Sequence, residues 1–269
     1  MGISEVLLQS LDRRVIIASM NLDKHSLYLR RRDLLALTAA LAGSLLLRPG
    51  GALAQTSGGA PARVGMIGSG RLGGTVGALW VKAGHPVTFS SRDPEQTAAL
   101  VARLGPLAHA GSVAEAIDFG DVVFLAVPYA AMPEIGRDYG AKLAGKVVLD
   151  AGNAVESRDG LIAGEVEQNG IGLTSQKYLP GARLVRAFNT LGFTILEREA
   201  GRAEPRLAIP IAGDDAAAVE VAAALVRDAG FEPVVVGKLA DARRFQRGTA
   251  GYGQVVSASE LRKTLSLAP

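Results

Sequence analysis

The run Arg63-Val64-Gly65-Met66-Ile67 leads straight into Gly68-Ser69-Gly70-Arg71-Leu72-Gly73, and no other stretch constrains this chain as tightly. The first part is a short apolar strand and the second is a G-x-G-x-x-G turn. Beyond it Leu72, Val76, Leu79 and Trp80 stand at i, i+4, i+7 and i+8, one apolar face of a helix. Glycine is common here, 33 in 269 residues, so the pattern alone is weak evidence. Strand, glycine turn and amphipathic helix in that order are what give it a mechanism. Gly68 makes the tight bend, Gly70 lets the backbone approach a pyrophosphate, and Gly73 lets helix and strand pack closely. The helix start then offers unbonded N–H groups and the positive end of its dipole to phosphate. The competing reading is a glycine-rich turn with no ligand.

The rest of the chain repeats the alternation. Pro86 to Ser90 reads as a strand, and Asp93 caps a helix with Pro94 first, Gln96 third and Gly105 at its end. Ser112 and Glu115 form a capping box. Val122 to Val127 is unbroken apolar sequence, as a parallel strand covered on both faces requires. Further strands are expected at Lys146 to Asp150, Arg183 to Phe188, Leu207 to Ala212 and Pro233 to Val236. A helix from about Asp215 to Asp228 separates the last two and stops at Gly230. The pattern predicts an α/β fold: one Rossmann-like, doubly wound, mostly parallel sheet spanning residues 62–269. A hydrophobic content of 48% with 20% charged residues excludes wholesale disorder. The absence of cysteine excludes disulfides, thiolate nucleophiles and Cys-ligated metals.

Residues 1–54 read as an export leader. Arg30-Arg31-Arg32 precedes an apolar run from Leu34 to Leu47, and Ala52-Leu53-Ala54 gives a small-x-small cleavage pattern before Gln55. The paired arginines with Leu34-Leu35 resemble a twin-arginine signal. The run is shorter than the roughly 20 residues that span a bilayer, so no stable membrane span is expected after leader removal. This reading places the protein in the periplasm or outside the cell; Met20 as the true start and a cytoplasmic location are the alternative. Residues 55–61 (QTSGGAP) form a linker. The whole formal charge of +3 lies within the leader, which leaves no basic footprint for nucleic acid in the remainder.

The end of the second strand distinguishes nicotinamide cofactors. An NAD site places Asp or Glu there for the ribose 2′-hydroxyl. This strand ends Phe89-Ser90-Ser91-Arg92, with no carboxylate before the helix cap Asp93. Ser91 can donate to a 2′-phosphate, and Arg92 can pair with it or stack on adenine, which points to NADP. Val127-Pro128, Asn153 and Asn189 each follow an expected strand and could meet in one crevice at the carboxyl ends. Both asparagines read also as loop residues that satisfy backbone groups.

GMIGSGRLGG, SSR, LAVP (Leu125 to Pro128) and AGDD (Ala212 to Asp215), in this order, resemble the NADPH-dependent reductases of the deazaflavin coenzyme F420. AFNT (Ala187 to Thr190) resembles the related reductase domain of the six-transmembrane ferric and cupric reductases. The likeness spans about residues 62–240. It implies NADP at the glycine turn and a flat redox partner against the nicotinamide. On that resemblance Ser69, Gly70, Arg71, Leu72, Ser91 and Arg92 hold the adenine-side phosphates. Val127, Pro128 and Tyr129 line the nicotinamide, and Asn189 sits beside it. Ala130 to Met132 lack the polar group common there, so the small-molecule acceptor stays open between deazaflavin, flavin and metal chelate. A homodimer is compatible with this reading.

No tyrosine has lysine four places on, so the Tyr-Lys pair of the short-chain dehydrogenases is missing. His25, His85 and His109 lie in the leader, in a turn and beside a strand end, and none reads as catalytic. Hydride transfer between nicotinamide and a flavin-like ring needs no protein acid, because the cofactors carry the chemistry. Two classes of function remain: an NADP-dependent oxidoreductase, and a non-catalytic module that only binds the dinucleotide.

Overall fold

Apolar strands without a polar face need cover on both sides, and a parallel sheet between two helix layers supplies it. The computed structural model, which describes residues 60–268, has this arrangement. Strands β1 (Val64–Ile67), β2 (Val87–Ser90), β3 (Ala108–Ala110), β4 (Val122–Leu125), β5 (Val147–Asp150), β6 (Arg183–Arg186), β7 (Ala208–Gly213) and β8 (Glu232–Gly237) form one sheet. Its order is β3-β2-β1-β4-β5-β6-β7-β8. All neighbours are parallel except β6 and β7. The chain winds outward from β1 to β3 and then returns to β4, so the direction of winding reverses between β1 and β4. In open α/β sheets that switch point is where ligands bind, outside the carboxyl ends.

Helices α1 (Arg71–Lys82) and α2 (Pro94–Leu104) follow β1 and β2. The apolar stripe read from the sequence docks α1: Val76 and Trp80 are fully buried, and Leu72 and Leu79 partly so. Trp80 packs edge-on to Phe124 and Phe188, and its Nε1 donates to the carbonyl of Leu225 at 2.8 Å. Full burial of such a side chain contributes about 1.5–3 kcal/mol. Asp93 caps α2, its carboxylate accepting the N–H of Gln96 with Pro94 in the first turn. The capping box of Ser112 and Glu115 opens α3 (Val113–Phe119).

On the other face lie α4 (Met132–Leu143), which follows a short 3-10 turn (Tyr129–Ala131), and the three short helices α5 (Glu156–Asp159), α6 (Leu161–Asn169) and α7 (Ile171–Tyr178). After β6 come α8 (Phe193–Glu199) and, between β7 and β8, α9 (Ala216–Asp228), capped by Asp215. A 3-10 turn (Leu239–Arg244) and α10 (Ala258–Thr264) close the fold. No helix among the described residues is long and apolar enough to cross a membrane. The expected leader, residues 1–54, lies outside the described residues, as does most of the expected linker.

Candidate functional site

Register assembles the site. Ser90, Ile67, Leu125, Asp150 and Arg186 form one row across β2, β1, β4, β5 and β6. Ser91 and Gly68 follow that row by one residue, Val127 by two, and Asn153 and Asn189 by three. Every residue expected at the site except those on the helices therefore leaves the same edge of the sheet.

The three glycines of the turn differ in what requires them. Gly68 has φ +99°, and a Cβ there would sit 2.4 Å from the carbonyl oxygen of Ala126. Gly73 lies against the same turn, where a Cβ would fall 1.9 Å from the Gly68 oxygen. These two are needed by the fold. Gly70 has φ −66° and ψ −164°, extended backbone open to any residue, and nothing lies within 4 Å of an added Cβ. No part of the described chain requires a glycine there. Gly70 is also the N-cap of α1, with no capping side chain and no acidic residue in the first turn. The first-turn amides of Arg71, Leu72 and Gly73 thus have neither a helical nor a side-chain acceptor.

Ser69 and Ser91 are placed differently from a simple ligand shell. The Ser69 N–H donates to Ser90 O at 3.0 Å, and its hydroxyl meets Thr97 Oγ1 at 2.8 Å in a buried contact. The Ser91 hydroxyl donates to Asp93 O at 2.8 Å and lies 2.9 Å from the same Thr97 oxygen. Together these hydroxyls staple the glycine turn to the tip of β2. The groups left uncommitted at this edge are the first-turn amides of α1 and the exposed Arg92. Arg71 lies over the Phe193 ring, 5.6 Å from its centroid, and so ties the glycine turn to α8. A cleft of about 640 Å³ opens at Ser69, Gly70 and Arg71 and runs between α1, α2 and α8 past Gln96, Phe193 and Glu197.

On the other side of the switch point, Val127 is half-buried and Pro128 exposed. Val127 Cγ1 would stand 3.0 Å from a Cβ on Gly68, so it borders the glycine turn. Asn153 Nδ2 donates to the Asn189 carbonyl at 2.6 Å, which joins the tips of β5 and β6. Asn189 is buried; its Nδ2 donates to Phe245 O at 3.3 Å, while its Oδ1 has no partner among the described residues. Phe188, just before it, adopts φ +59°, a left-handed conformation that costs roughly 1–2 kcal/mol outside glycine. Its ring is locked edge-on against Trp80, Phe124 and Phe231, and that packing holds the backbone just before Asn189.

Tyr129 departs from expectation. Its side chain is fully buried instead of lining the crevice, and its hydroxyl donates to Ile171 O at 3.2 Å and lies 2.8 Å from Ser175 Oγ. Burial, and then the nearby Asp150 carboxylate, push its phenol well above the usual range. The 3-10 turn after Pro128 rotates the ring onto α7, so the position carries packing and not a ring-facing surface. Thr97, Phe193 and the buried Asp150–Arg186 pair were not singled out by motif. Two charged residues closing adjacent apolar strands were the available signal for the pair.

His85 is structural. Its Nδ1 lies 3.1 Å from Ala62 O and its Nε2 3.0 Å from Asp228 Oδ2.

A crevice at the switch point beside a glycine turn with uncapped helix amides is the architecture of a dinucleotide-binding α/β fold. Residues 63–154 match the family described as NADP oxidoreductase, coenzyme F420-dependent. The chain is 30% identical to metalloreductase STEAP3 of Rattus norvegicus over 199 residues, covering 73% of this chain and 38% of that protein. The chain thus spans well under half of that relative. A solved hypothetical protein from Sinorhizobium meliloti is similar at a TM-score of 0.65 and 26% identity, over 73% of this chain and 95% of that one. A candidate F420-dependent NADP reductase from Arthrobacter sp. FB24 shares the fold at a TM-score of 0.60 and 23% identity, over 68% of this chain and 87% of that one.

Proposed function

We propose that this chain is an NADP(H)-dependent oxidoreductase that moves hydride between the nicotinamide and a small ring acceptor, a deazaflavin or a flavin; a metal chelate takes one electron at a time and would be reduced, two per NADPH, through such a ring. Gly70 carries the reading. It has an unstrained backbone, empty space beside it and uncapped amides behind it, so its lack of a side chain serves something that enters from outside. The amides of Arg71, Leu72 and Gly73 hold the pyrophosphate, assisted by the positive end of α1. Asp93 is committed to its cap, so no carboxylate opposes a 2′-phosphate at the tip of β2, and Arg92 pairs with it.

The orphaned Oδ1 of Asn189 is an acceptor for a carboxamide N–H, a group the nicotinamide carries, once the crevice edge above it opens to admit the ring. When bound, the nicotinamide supplies or takes the hydride. The protein supplies position: Val127 and Pro128 border the crevice on one side, and the joined Asn153 and Asn189 on the other. Ring-to-ring transfer asks for no acid or base, which agrees with a crevice edge built from amide and apolar groups. Anaerobic mixing of the purified chain with NADPH and a panel of deazaflavin, flavin and ferric-chelate acceptors tests the activity. One NADPH consumed per deazaflavin or flavin reduced, or per two ferric chelates reduced in the presence of flavin, supports it, and binding without consumption supports the non-catalytic module.

The leader supports a second part of the proposal, export in folded form by the twin-arginine route, with NADP acquired in the cytoplasm. Changing Arg31 and Arg32 to Lys and fractionating the cells tests it: export should stop. Undiminished export would exclude that route, and a wholly cytoplasmic parent protein would exclude export.

A further inference from the structure

Asp150 and Arg186 end adjacent parallel strands and face one another in register. Both side chains are completely buried. A buried ion pair recovers its desolvation cost only when further hydrogen bonds hold its remaining atoms. Here the bonds that are made converge on a single residue, while Arg186 Nε and Nη1 have no hydrogen-bond partner among the described residues. Asp150 Oδ1 accepts the N–H of Gly152 at 2.8 Å, and Arg186 Nη2 donates to the Gly152 carbonyl at 2.5 Å. Arg186 Nη1 lies against Asp150 Oδ2 in an ion-pair contact. Ser175 Oγ donates to that same Oδ2 at 2.7 Å, with the Tyr129 hydroxyl behind it. Gly152 is therefore gripped at both ends by opposite members of one pair.

The next residue is Asn153, which reaches back to the Asn189 carbonyl three residues beyond Arg186. The two strand-tip loops thus leave the ion pair together and meet again at the crevice edge. Gly68 to Gly73 and the tip of β2 take no part in these bonds.

We propose that the Asp150–Arg186 pair is a positioning element for hydride transfer: it fixes Gly152 and so sets Asn153 and Asn189 at the nicotinamide edge of the crevice. Anchoring of the nucleotide is left to the glycine turn. The chemistry rests on the function proposed above, while the geometry rests on the bonds to Gly152 alone. A merely structural pair behaves differently, because two well-packed apolar residues can replace a buried ion pair without loss.

The test uses the full chain as the Asp150→Leu/Arg186→Leu double variant, which avoids leaving one charge buried alone, with Ser175→Ala as a comparison. Three quantities are measured: exchange of the Gly152 amide in nucleotide-free protein, the Kd for NADP by calorimetry, and kcat with the KM for NADPH. We expect Gly152 exchange at least about tenfold faster and the Kd within about threefold of the parent. We expect kcat to fall about 100-fold, the scale of a 1 Å misplacement. Ser175→Ala should leave kcat within about threefold. Unchanged Gly152 exchange, an undiminished kcat, or a Kd that rises in step with the fall in kcat would each overturn the proposal.

If the double variant does not fold, Gly152→Ala serves the same purpose with both charges in place. Its Cβ would lie 3.0 Å from Asp150 Oδ1 and 3.1 Å from Tyr129 Cδ2, which pushes the peptide off the pair. The same drop in kcat at constant Kd is expected, and a parent-like kcat would overturn the proposal. If the parent itself transfers no hydride, the proposed function fails, and Gly152 exchange in the variants alone decides whether the pair positions the loop.

Discussion

Gly70 and Gly73 stand three residues apart in one motif, and substitutions at them should fail in opposite ways. For Gly70→Val the folded chain offers no obstacle: the backbone is extended and no atom lies within 4 Å of the new Cβ. Reduced freedom of the unfolded chain favours the variant by about 0.4–1 kcal/mol. Loss of a glycine N-cap opposes that gain by a few tenths or more. The net change in stability should stay within about 1 kcal/mol. The new side chain, however, fills the approach to the amides of α1. Charge-assisted hydrogen bonds are worth about 1.5–3 kcal/mol each, and losing two raises the Kd for NADP by at least about 100-fold. Gly73→Ala places its Cβ 1.9 Å from the Gly68 carbonyl oxygen and must push helix and strand apart. Overpacking of this kind costs about 1–3 kcal/mol or more. Thermal unfolding and calorimetry with NADP separate the two effects. A Gly70→Val protein that binds NADP like the parent would reduce the motif to a turn, and one that fails to fold would show that the chain itself needs the glycine.

Arg92→Ala should weaken NADP by about 1.5–3 kcal/mol and leave NAD nearly unchanged in calorimetry, since only the 2′-phosphate loses a partner; equal losses would remove the assignment. Tyr129→Phe should cost about 1–2 kcal/mol in urea unfolding, because it strips a buried hydroxyl from Ser175 and Ile171, while the Kd for NADP stays constant. Arg183, through two hydrogen bonds, and then the Ala218 N–H hold the Asp215 carboxyl down at about 2 from its ordinary 3.8. A depressed folded pKa means stability that is complete above pH 3.8 and lost as pH falls towards 2. Arg183→Met should flatten that acid limb in urea titrations, and an unchanged limb would contradict the pairing.

Much of the fold was legible because local signals agreed with the global pattern. The strands at Val64, Val122 and Val147 are largely apolar on both faces, the strand at Val87 is buried throughout, and the caps at Asp93 and Ser112 are used as read. Short elements were not legible. β3 is three residues long with His109 exposed, and the helices between β5 and β6 are broken at Gly160 and Gly170, so no apolar period can build up. The antiparallel pairing of β7 with β6 left no mark either, since a strand buried on both faces reads alike in either direction. At the site, residues whose role lies in backbone were foreseen best: Gly68 and Gly73 act through space that any reader of the motif expects. Hydroxyls were foreseen worst. Ser69 and Ser91 turn inward because Thr97, one helical turn beyond the cap, offers them a partner. Tyr129 turns inward because Ser175, distant in sequence, lies above it.

The most direct test of the account follows stereospecifically deuterated NADPH, incubated without oxygen with the purified chain and a deazaflavin acceptor, whose reduced ring carbon keeps the label. Transfer of one deuterium per acceptor reduced, lost on Gly70→Val and retained in Tyr129→Phe, is the predicted result. Tight NADPH binding with no deuterium in any acceptor and no change in nucleotide absorbance would contradict it.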